Sequence, residues 1–354
     1  MSPSLEIAGR RIGGGAPVYV IAEISANHNG RYEDAARLVH EAKAAGADAV
    51  KLQTYTPDTI TIDVDSPLFR HGKGSLWAER TLYELYGEAY TPWDWQPKLK
   101  ALADEIGITC FSSPFDPTAV DFLERMNVPA YKVASFELVD TPLVEKMART
   151  GKPLIMSTGM ATPSEIADAV NAARRAGCKD LALLKCTSAY PAPAEEMNLL
   201  TIPHMAQAFG VAAGLSDHTL GIAVPVAAVA AGACIVEKHF TLARAAGGPD
   251  SAFSLEPHEL KAMIEGIRVA EKALGGVHYG PLDRERESVK FRRSLFVVRD
   301  MRAGEAFTED NTRSIRPGHG LAPKHLPRVL GRPATRDISR GTPLAWAMVA
   351  ADGA

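Results

Sequence analysis

Between residues 18 and 240 the chain alternates short β-rich runs with helical patterns eight times, and that repetition restricts the fold more than any other feature. The runs cover residues 18–25, 49–54, 109–114, 130–135, 153–158, 181–187, 212–219 and 234–240. Parallel neighbours need a long crossover between them, and the patterns from Tyr32 to Lys43 and from Thr162 to Arg174 supply helices of the right length. Thr162 reads as an N-cap, with Pro163 in the first helical position and Glu165 three residues beyond the cap. Other helices stop at Gly46, Gly107 and Gly177. Eight such units predict an α/β fold, a closed (β/α)8 TIM barrel.

The 354 residues, 46% of them hydrophobic and 23% charged, suffice for that barrel and one small domain. Gly275, Gly276, Gly280 and Pro281 precede a charged run at residues 283–290, which predicts a barrel over 1–281, a linker over 282–290 and a β-rich domain over 291–354. Within that domain, residues 294–305 and 337–344 read as two related strand-turn-strand pieces. The one long insertion, from Tyr55 to about Trp95, carries Tyr55, Phe69, Trp77, Tyr83, Tyr86, Tyr90 and Trp93. Long loops at this position often serve as functional lids, and plain loop packing is the alternative.

A net charge of −3 offers no broad basic field, which argues against nucleic acid and membrane surfaces and for small molecules and protein as partners. The longest apolar run, 221–236, is short and broken by Pro225 and Gly232, so no membrane span is expected. The segment from Met1 to Ile7 lacks the basic start and apolar stretch of a secretory signal. Cys110, Cys178, Cys186 and Cys234 show no CxxC spacing and read as reduced thiols rather than disulfides. A cytoplasmic location is the expectation.

In a TIM barrel the C-terminal strand ends build the active site, and here polar residues recur at those ends. They are Glu23 and Ser25, Lys51 and Gln53, Ser112 and Ser113, Lys132 and Ser135, Ser157 and Thr158, Thr187, Ser216 with His218, and Glu237 with His239. A lysine inside an apolar strand needs an anion, so Lys51 and Lys132 either pair with Glu23 or Glu137 or cradle a small anionic ligand. His218 and His239 stand one strand-helix-strand step apart, either as satisfied imidazoles or as ligands of a divalent metal. Oxygen-rich surroundings favour Mn2+, with Mg2+ or Co2+ as alternatives, over a closed zinc site. Asp217 reads as a turn cap, and Asp250 sits in a glycine-rich loop able to approach a ligand.

Several of these motifs together resemble the nonulosonic (sialic) acid synthases: Ile21-Ala-Glu-Ile-Ser-Ala-Asn-His-Asn-Gly30, Ala47-Asp-Ala-Val-Lys-Leu-Gln-Thr54, Ala130-Tyr-Lys-Val-Ala-Ser135, Ser157-Thr-Gly-Met160, Cys186-Thr-Ser-Ala-Tyr-Pro191, Gly214-Leu-Ser-Asp-His218 and Glu237-Lys-His-Phe-Thr241. The tail around Ile315-Arg-Pro-Gly-His-Gly320 is similar to the antifreeze-like (SAF) domain those enzymes carry. Residues 54–61, 80–86 and 89–93 resemble the pseudaminic branch of the family. The resemblance implies condensation of phosphoenolpyruvate with the open-chain aldehyde of an acetamido sugar, with phosphate leaving by C–O cleavage. For that branch the sugar is 2,4-diacetamido-2,4,6-trideoxy-altrose; a mannosamine-type sugar, as used by N-acetylneuraminate and legionaminic acid synthases, is the alternative.

By the same resemblance, Lys51, Ser113, Lys132, Ser135, Ser157, Ser188 and Ser216 hold phosphoenolpyruvate, although Ser188 stands where sialic acid synthases often place asparagine. His218 and His239 match metal ligands, and Glu23 matches a carboxylate beside the sugar's C1. Gln53, Glu137, Tyr190 and Asp250 match sugar contacts, and Arg316 reaches the sugar site of the neighbouring subunit in a domain-swapped homodimer. A metal-dependent sugar aldolase or isomerase uses similar residues, but it needs neither both lysines nor an appended β domain.

Overall fold

The computed structural model describes residues 3–70, 72, 77 and 80–351. Met1 and Ser2 of the segment read for a signal, residues 71, 73–76, 78 and 79 of the aromatic insertion, and residues 352–354 of the C-terminal domain lie outside the described residues. The chain divides into two compact units, Met1–Gly275 and Gly276–Ala354, so the division falls six residues before the expected end of the barrel at 281.

The first unit opens with an antiparallel hairpin, β1 (Ser4–Ile7) and β2 (Arg10–Gly13), whose Leu5, Ile7 and Ile12 join the barrel core near the strand starts. Eight parallel strands then close the barrel: β3 (Tyr19–Glu23), β4 (Ala49–Thr54), β5 (Thr109–Pro114), β6 (Tyr131–Val133), β7 (Leu154–Ser157), β8 (Leu181–Cys186), β9 (Ala212–Asp217) and β10 (Ile235–His239). Each pairs with the next, and β10 pairs with β3. Closure leaves no open sheet edge.

Helices cover the outside because their apolar stripes need the outward residues of the strands. In α1 (Tyr32–Ala45), Ala35, Leu38, Val39 and Ala42 face Val20, Ala22, Val50 and Leu52. The first turn of helix 163–175 carries the expected capping box, with Thr162 accepting from the Glu165 N–H and Glu165 accepting from the Thr162 N–H. Among its described residues, the insertion after β4 holds α2 (Pro57–Ile60), a 3-10 turn (Pro67–Phe69) and α3 (Leu82–Ala89).

The second unit has its own core of Leu295, Val297, Met301, Phe307, Val329, Ile338 and Leu344. Residues 283–291, expected to be mostly linker, form a 3-10 helix instead. The two strand-turn-strand pieces do not form locally. β11 (Ser294–Val297) pairs with β12 (Thr312–Ile315), while single bridges join Met301 to Ile338 and Phe296 to Pro343. Pro343 has no N–H to donate and so cannot extend a regular ladder.

Candidate active site

Register brings the polar strand ends together. Glu23 lies opposite both Lys51 and His239, and Glu237 lies opposite Ser216. Because side chains alternate along a strand, Glu237 and His239 share the inner face while Lys238 between them faces the helices.

At the centre, Lys51 Nζ is 2.7 Å from Glu23 Oε2 and 2.8 Å from Glu237 Oε1. Lys132 Nζ lies 3.9 Å from the same Glu237 oxygen and donates to Ser157 Oγ at 2.6 Å and to the Val133 carbonyl at 3.0 Å. Ser216 Oγ donates to Glu237 Oε1 at 3.2 Å. Lys51 therefore has the internal partner Glu23 that its placement in an apolar strand demanded. The second carboxylate is Glu237, and not Glu137, which sits on a 3-10 turn (Phe136–Val139) with its Oε2 shielded and without a hydrogen-bond partner.

Burial governs the titration of this group. It pushes the Glu23 carboxyl up to about 7, against the pull of Lys51. It also opposes ionisation of Glu237, but Lys132 and Lys51 outweigh it and hold that carboxyl well below the usual range. Both carboxylates share Lys51, so the ionised share goes to the one that also faces Lys132. Burial lowers Lys132 to about 8 despite Glu237. For Lys51 the two carboxylates win over burial and raise its pKa.

Above this group stand the histidines, with ring centroids 5.3 Å apart. His218 Nδ1 is 2.9 Å from the Thr187 carbonyl, an acceptor, so Nδ1 carries a proton and, in the neutral ring, Nε2 keeps the lone pair. Burial pushes His239 well below its ordinary value, with His218 adding to the effect, so its ring is neutral. For His218 burial also opposes charge, but Cys186, whose Sγ is 3.9 Å from Nδ1, and the Thr187 carbonyl raise it. His239 Nδ1 is buried without a hydrogen-bond partner, 3.8 Å from Asp250 Oδ2. Among the described residues no three His, Cys, Asp or Glu side chains gather as a metal cage. Two imidazoles, one of them oriented by a carbonyl, suit an open metal site whose remaining positions go to water or substrate.

Hydroxyls flank the lysines. The Gly159 N–H donates to Ser135 Oγ at 3.2 Å, and a Cβ on Gly159 would fall on Ser188 Oγ and within 2.7 Å of Ser135 Oγ. Glycine at that position lets both hydroxyls converge. Ser113 is buried, and its Oγ has no hydrogen-bond partner.

Toward the loops, Gln53 Nε2 donates to Ser25 Oγ at 3.2 Å, and Ser25 Oγ donates to Asp250 Oδ2. Tyr190 packs on His218 at 4.3 Å between centroids, on Phe253 at 5.3 Å and on Trp77 at 5.8 Å. Other aromatics of the insertion pack locally, Tyr55 on Tyr86 and Phe115, and Trp93 on Phe122. Loop packing thus accounts for these, whereas Trp77 reaches the site. Arg316 belongs to the second unit, exposed just past β12. Its loop is held by Ser294 Oγ donating to the Pro317 carbonyl at 2.7 Å and the Gly318 N–H donating to the Lys290 carbonyl at 2.8 Å.

Sequence reasoning placed Ser25 and Glu237 among the polar strand-end residues without a ligand role, and it did not single out Cys186 or Phe253 for the site. For Glu237 the signal was present, two residues before His239 on the same face. The link from Ser25 to Asp250 and the roles of Cys186 and Phe253 are recognisable only through contacts across the barrel.

Comparison with known proteins fits this geometry. Residues 38–279 match the NeuB family and residues 292–350 the SAF domain. The chain is 46% identical over 330 residues to the pseudaminic acid synthase of Campylobacter jejuni subsp. jejuni serotype O:23/36, covering 92% of this chain and 95% of that protein. It is 44% identical to the pseudaminic acid synthase of Helicobacter pylori, over 93% of this chain and 96% of that one. Among solved structures, N-acetylneuraminic acid synthetase from Leptospira borgpetersenii serovar Hardjo-bovis, in complex with citrate, matches with a TM-score of 0.72 and 32% identity, covering 82% of this chain and 96% of that chain.

Proposed function

We propose, from the premise that this chain belongs to the NeuB family and ends in a SAF domain, that it condenses phosphoenolpyruvate with 2,4-diacetamido-2,4,6-trideoxy-L-altrose and water to give pseudaminic acid and phosphate. The observation that carries the chemistry is the pair of buried lysines beneath two neighbouring imidazoles at one barrel mouth. The 6-deoxy sugar rests on the identity of 46% and 44% to two pseudaminic acid synthases.

In this reading Lys51 and Lys132 bind the phosphate and carboxylate of phosphoenolpyruvate, with Ser113, Ser135, Ser157, Ser188 and Ser216 as donors that add no charge. Glu23, near its midpoint at neutral pH, orients C1 of the sugar and moves a proton there. His218 and His239 hold a divalent metal, Mn2+ in the first instance, whose chemistry is to polarise the aldehyde oxygen. Gln53, Glu137, Tyr190 and Asp250 contact the sugar. Arg316 of a second chain completes the pocket, the active unit being a domain-swapped homodimer in the cytoplasm.

Phosphate release and mass detection of the nine-carbon product, measured across a panel of acetamido sugars, test the reading. The 6-deoxy diacetamido altrose should surpass N-acetylmannosamine, by ~10 to 200-fold from the methyl group alone. Equal efficiency on N-acetylmannosamine moves the activity to the sialic acid branch. Mixing Arg316→Ala with His239→Ala chains should restore part of the activity through one intact site per mixed dimer. No recovery after proven subunit exchange removes the swap.

A further inference from the structure

The loops that leave the first and last barrel strands, residues 24–30 after β3 and 240–254 after β10, are fastened to each other. Asn27 Nδ2 donates to the Phe240 carbonyl and to Ser254 Oγ, both at 2.9 Å. Ser254 Oγ in turn donates to the Asp250 carbonyl at 2.6 Å. Gly248, at φ +114, lies so close to Asn29 that a Cβ would collide with its Oδ1. Trp77 Nε1 donates to the Pro249 carbonyl at 3.0 Å, tying the long insertion to the same loop.

Ser25 is the centre of this fastening. Its backbone N–H donates to Glu23 Oε1 at 2.8 Å. Its hydroxyl donates to Asp250 Oδ2 and accepts from Gln53 Nε2 at 3.2 Å. A hydroxyl has a single proton, and the carboxylate can only accept it, so the chain runs in one direction from Gln53 through Ser25 to Asp250. The backbone of Ser25 sits at φ 41, in the left-handed region that glycine occupies at least cost. The residue is 2% exposed, so its hydroxyl serves no purpose toward solvent. Glycine would satisfy the backbone here with less strain, and what serine adds is the link between Gln53 and Asp250. Strain retained at a buried polar residue is a pointer to function.

We propose that Ser25 is a positioning residue for the sugar. Its hydroxyl links Gln53 to Asp250, whose carboxyl also accepts from the Ala26 N–H, and holds the two side chains in one relative orientation toward the hydroxyl and amide groups of the open-chain acetamido sugar. The inference rests on the reading of Gln53 and Asp250 as sugar contacts. The bond from the Ser25 N–H to Glu23 is a backbone bond, so substitution of the side chain leaves Glu23 anchored and separates the sugar clamp from the carboxylate at C1.

Ser25→Gly and Ser25→Ala, made in the full chain, test this in the phosphate-release assay with each substrate varied in turn. Both variants should raise the KM for the diacetamido altrose by ~10 to 100-fold, the scale of losing a hydrogen bond to a charged group, while the KM for phosphoenolpyruvate stays within about twofold. Melting should separate the variants: Gly relieves the left-handed backbone and Ala does not, so Ser25→Gly should melt no lower than Ser25→Ala. Function then follows the hydroxyl and stability follows the backbone. A sugar KM within about threefold of the parent in Ser25→Gly overturns the proposal, as does an equal loss for both substrates, which indicates general damage. If the parent itself releases no phosphate with any acetamido sugar, the functional reading fails and the inference falls with it.

Discussion

Strands β9 and β10 carry two buried ionic groups back to back, and the groups differ in how completely they are satisfied. On the outer face, Lys238 Nζ reaches Asp217 Oδ2 at 2.5 Å and also donates to the Thr219 carbonyl, and both side chains are fully buried. Asp217 further accepts from the Thr219 N–H at 3.1 Å and from Thr219 Oγ1 at 3.0 Å, so the cap expected of it is combined with an ion pair. One residue along each strand, the inner face holds Ser216, His218, Glu237 and His239, where Glu237 Oε2 and His239 Nδ1 lack hydrogen-bond partners. Under the proposed function the closed pair is scaffold and the open group is machinery. Buried polar atoms are ordinarily satisfied, so a cluster of unsatisfied ones at a barrel mouth marks the place where a ligand supplies the missing contacts.

The largest effect that would break this contrast is on stability. Asp217→Ala strands the Lys238 charge in the interior and should cost ~3–5 kcal/mol of unfolding free energy in urea, while kcat per folded molecule stays within a few fold of the parent. The double variant Asp217→Leu/Lys238→Met should recover most of that loss, since no lone charge remains. Full stability in Asp217→Ala would mean that the outer pair is not the structural half of the comparison.

On the inner face the expectation reverses. His218→Ala and His239→Ala should turn over at least ~100-fold more slowly, with phosphoenolpyruvate binding and melting temperature close to the parent. Chelation should abolish synthesis in the parent, and Mn2+, Co2+ or Mg2+ should restore it. Metal-stripped enzyme with undiminished activity would leave the histidines without their proposed role.

A smaller effect sharpens the comparison through pH. Lys132 falls from its ordinary 10.5 to about 8 on folding, with burial the chief cause. Between these values the unfolded chain holds more protons than the folded one, so this group adds stability as pH rises from about 8 toward 10.5. Anion binding needs the charged form and moves the other way. The kcat/KM for phosphoenolpyruvate should therefore fall about tenfold per pH unit above pH ~8, and Lys132→Arg, which does not deprotonate, should displace that fall to higher pH. An unchanged alkaline limb in Lys132→Arg would assign the titration to another group.

The barrel was legible because its signal is local and repeated. Strands β4 and β5 span residues 49–54 and 109–114 as the apolar runs did. The run at 130–135 shortens to Tyr131–Val133 because Ser135 takes helical dihedrals at the start of a 3-10 turn. The inner-face residues were legible from strand-end position and the alternation of faces. Partnership was not: the pairing of Lys51 with Glu237 joins residues 186 apart, and that of Ser25 with Asp250 joins residues 225 apart. The second unit was read as local hairpins but is held by pairings such as Met301 with Ile338, which no short-range pattern announces.

Under the proposed function the open inner face makes a carbon–carbon bond from phosphoenolpyruvate with cleavage of its C–O bond. Phosphoenolpyruvate labelled with heavy oxygen at the bridge between carbon and phosphorus tests it directly, in a reaction with the diacetamido altrose and metal-replete enzyme. The released phosphate should carry the label, one equivalent for each nine-carbon product formed. Unlabelled phosphate, or product formed without phosphate release, would contradict the account.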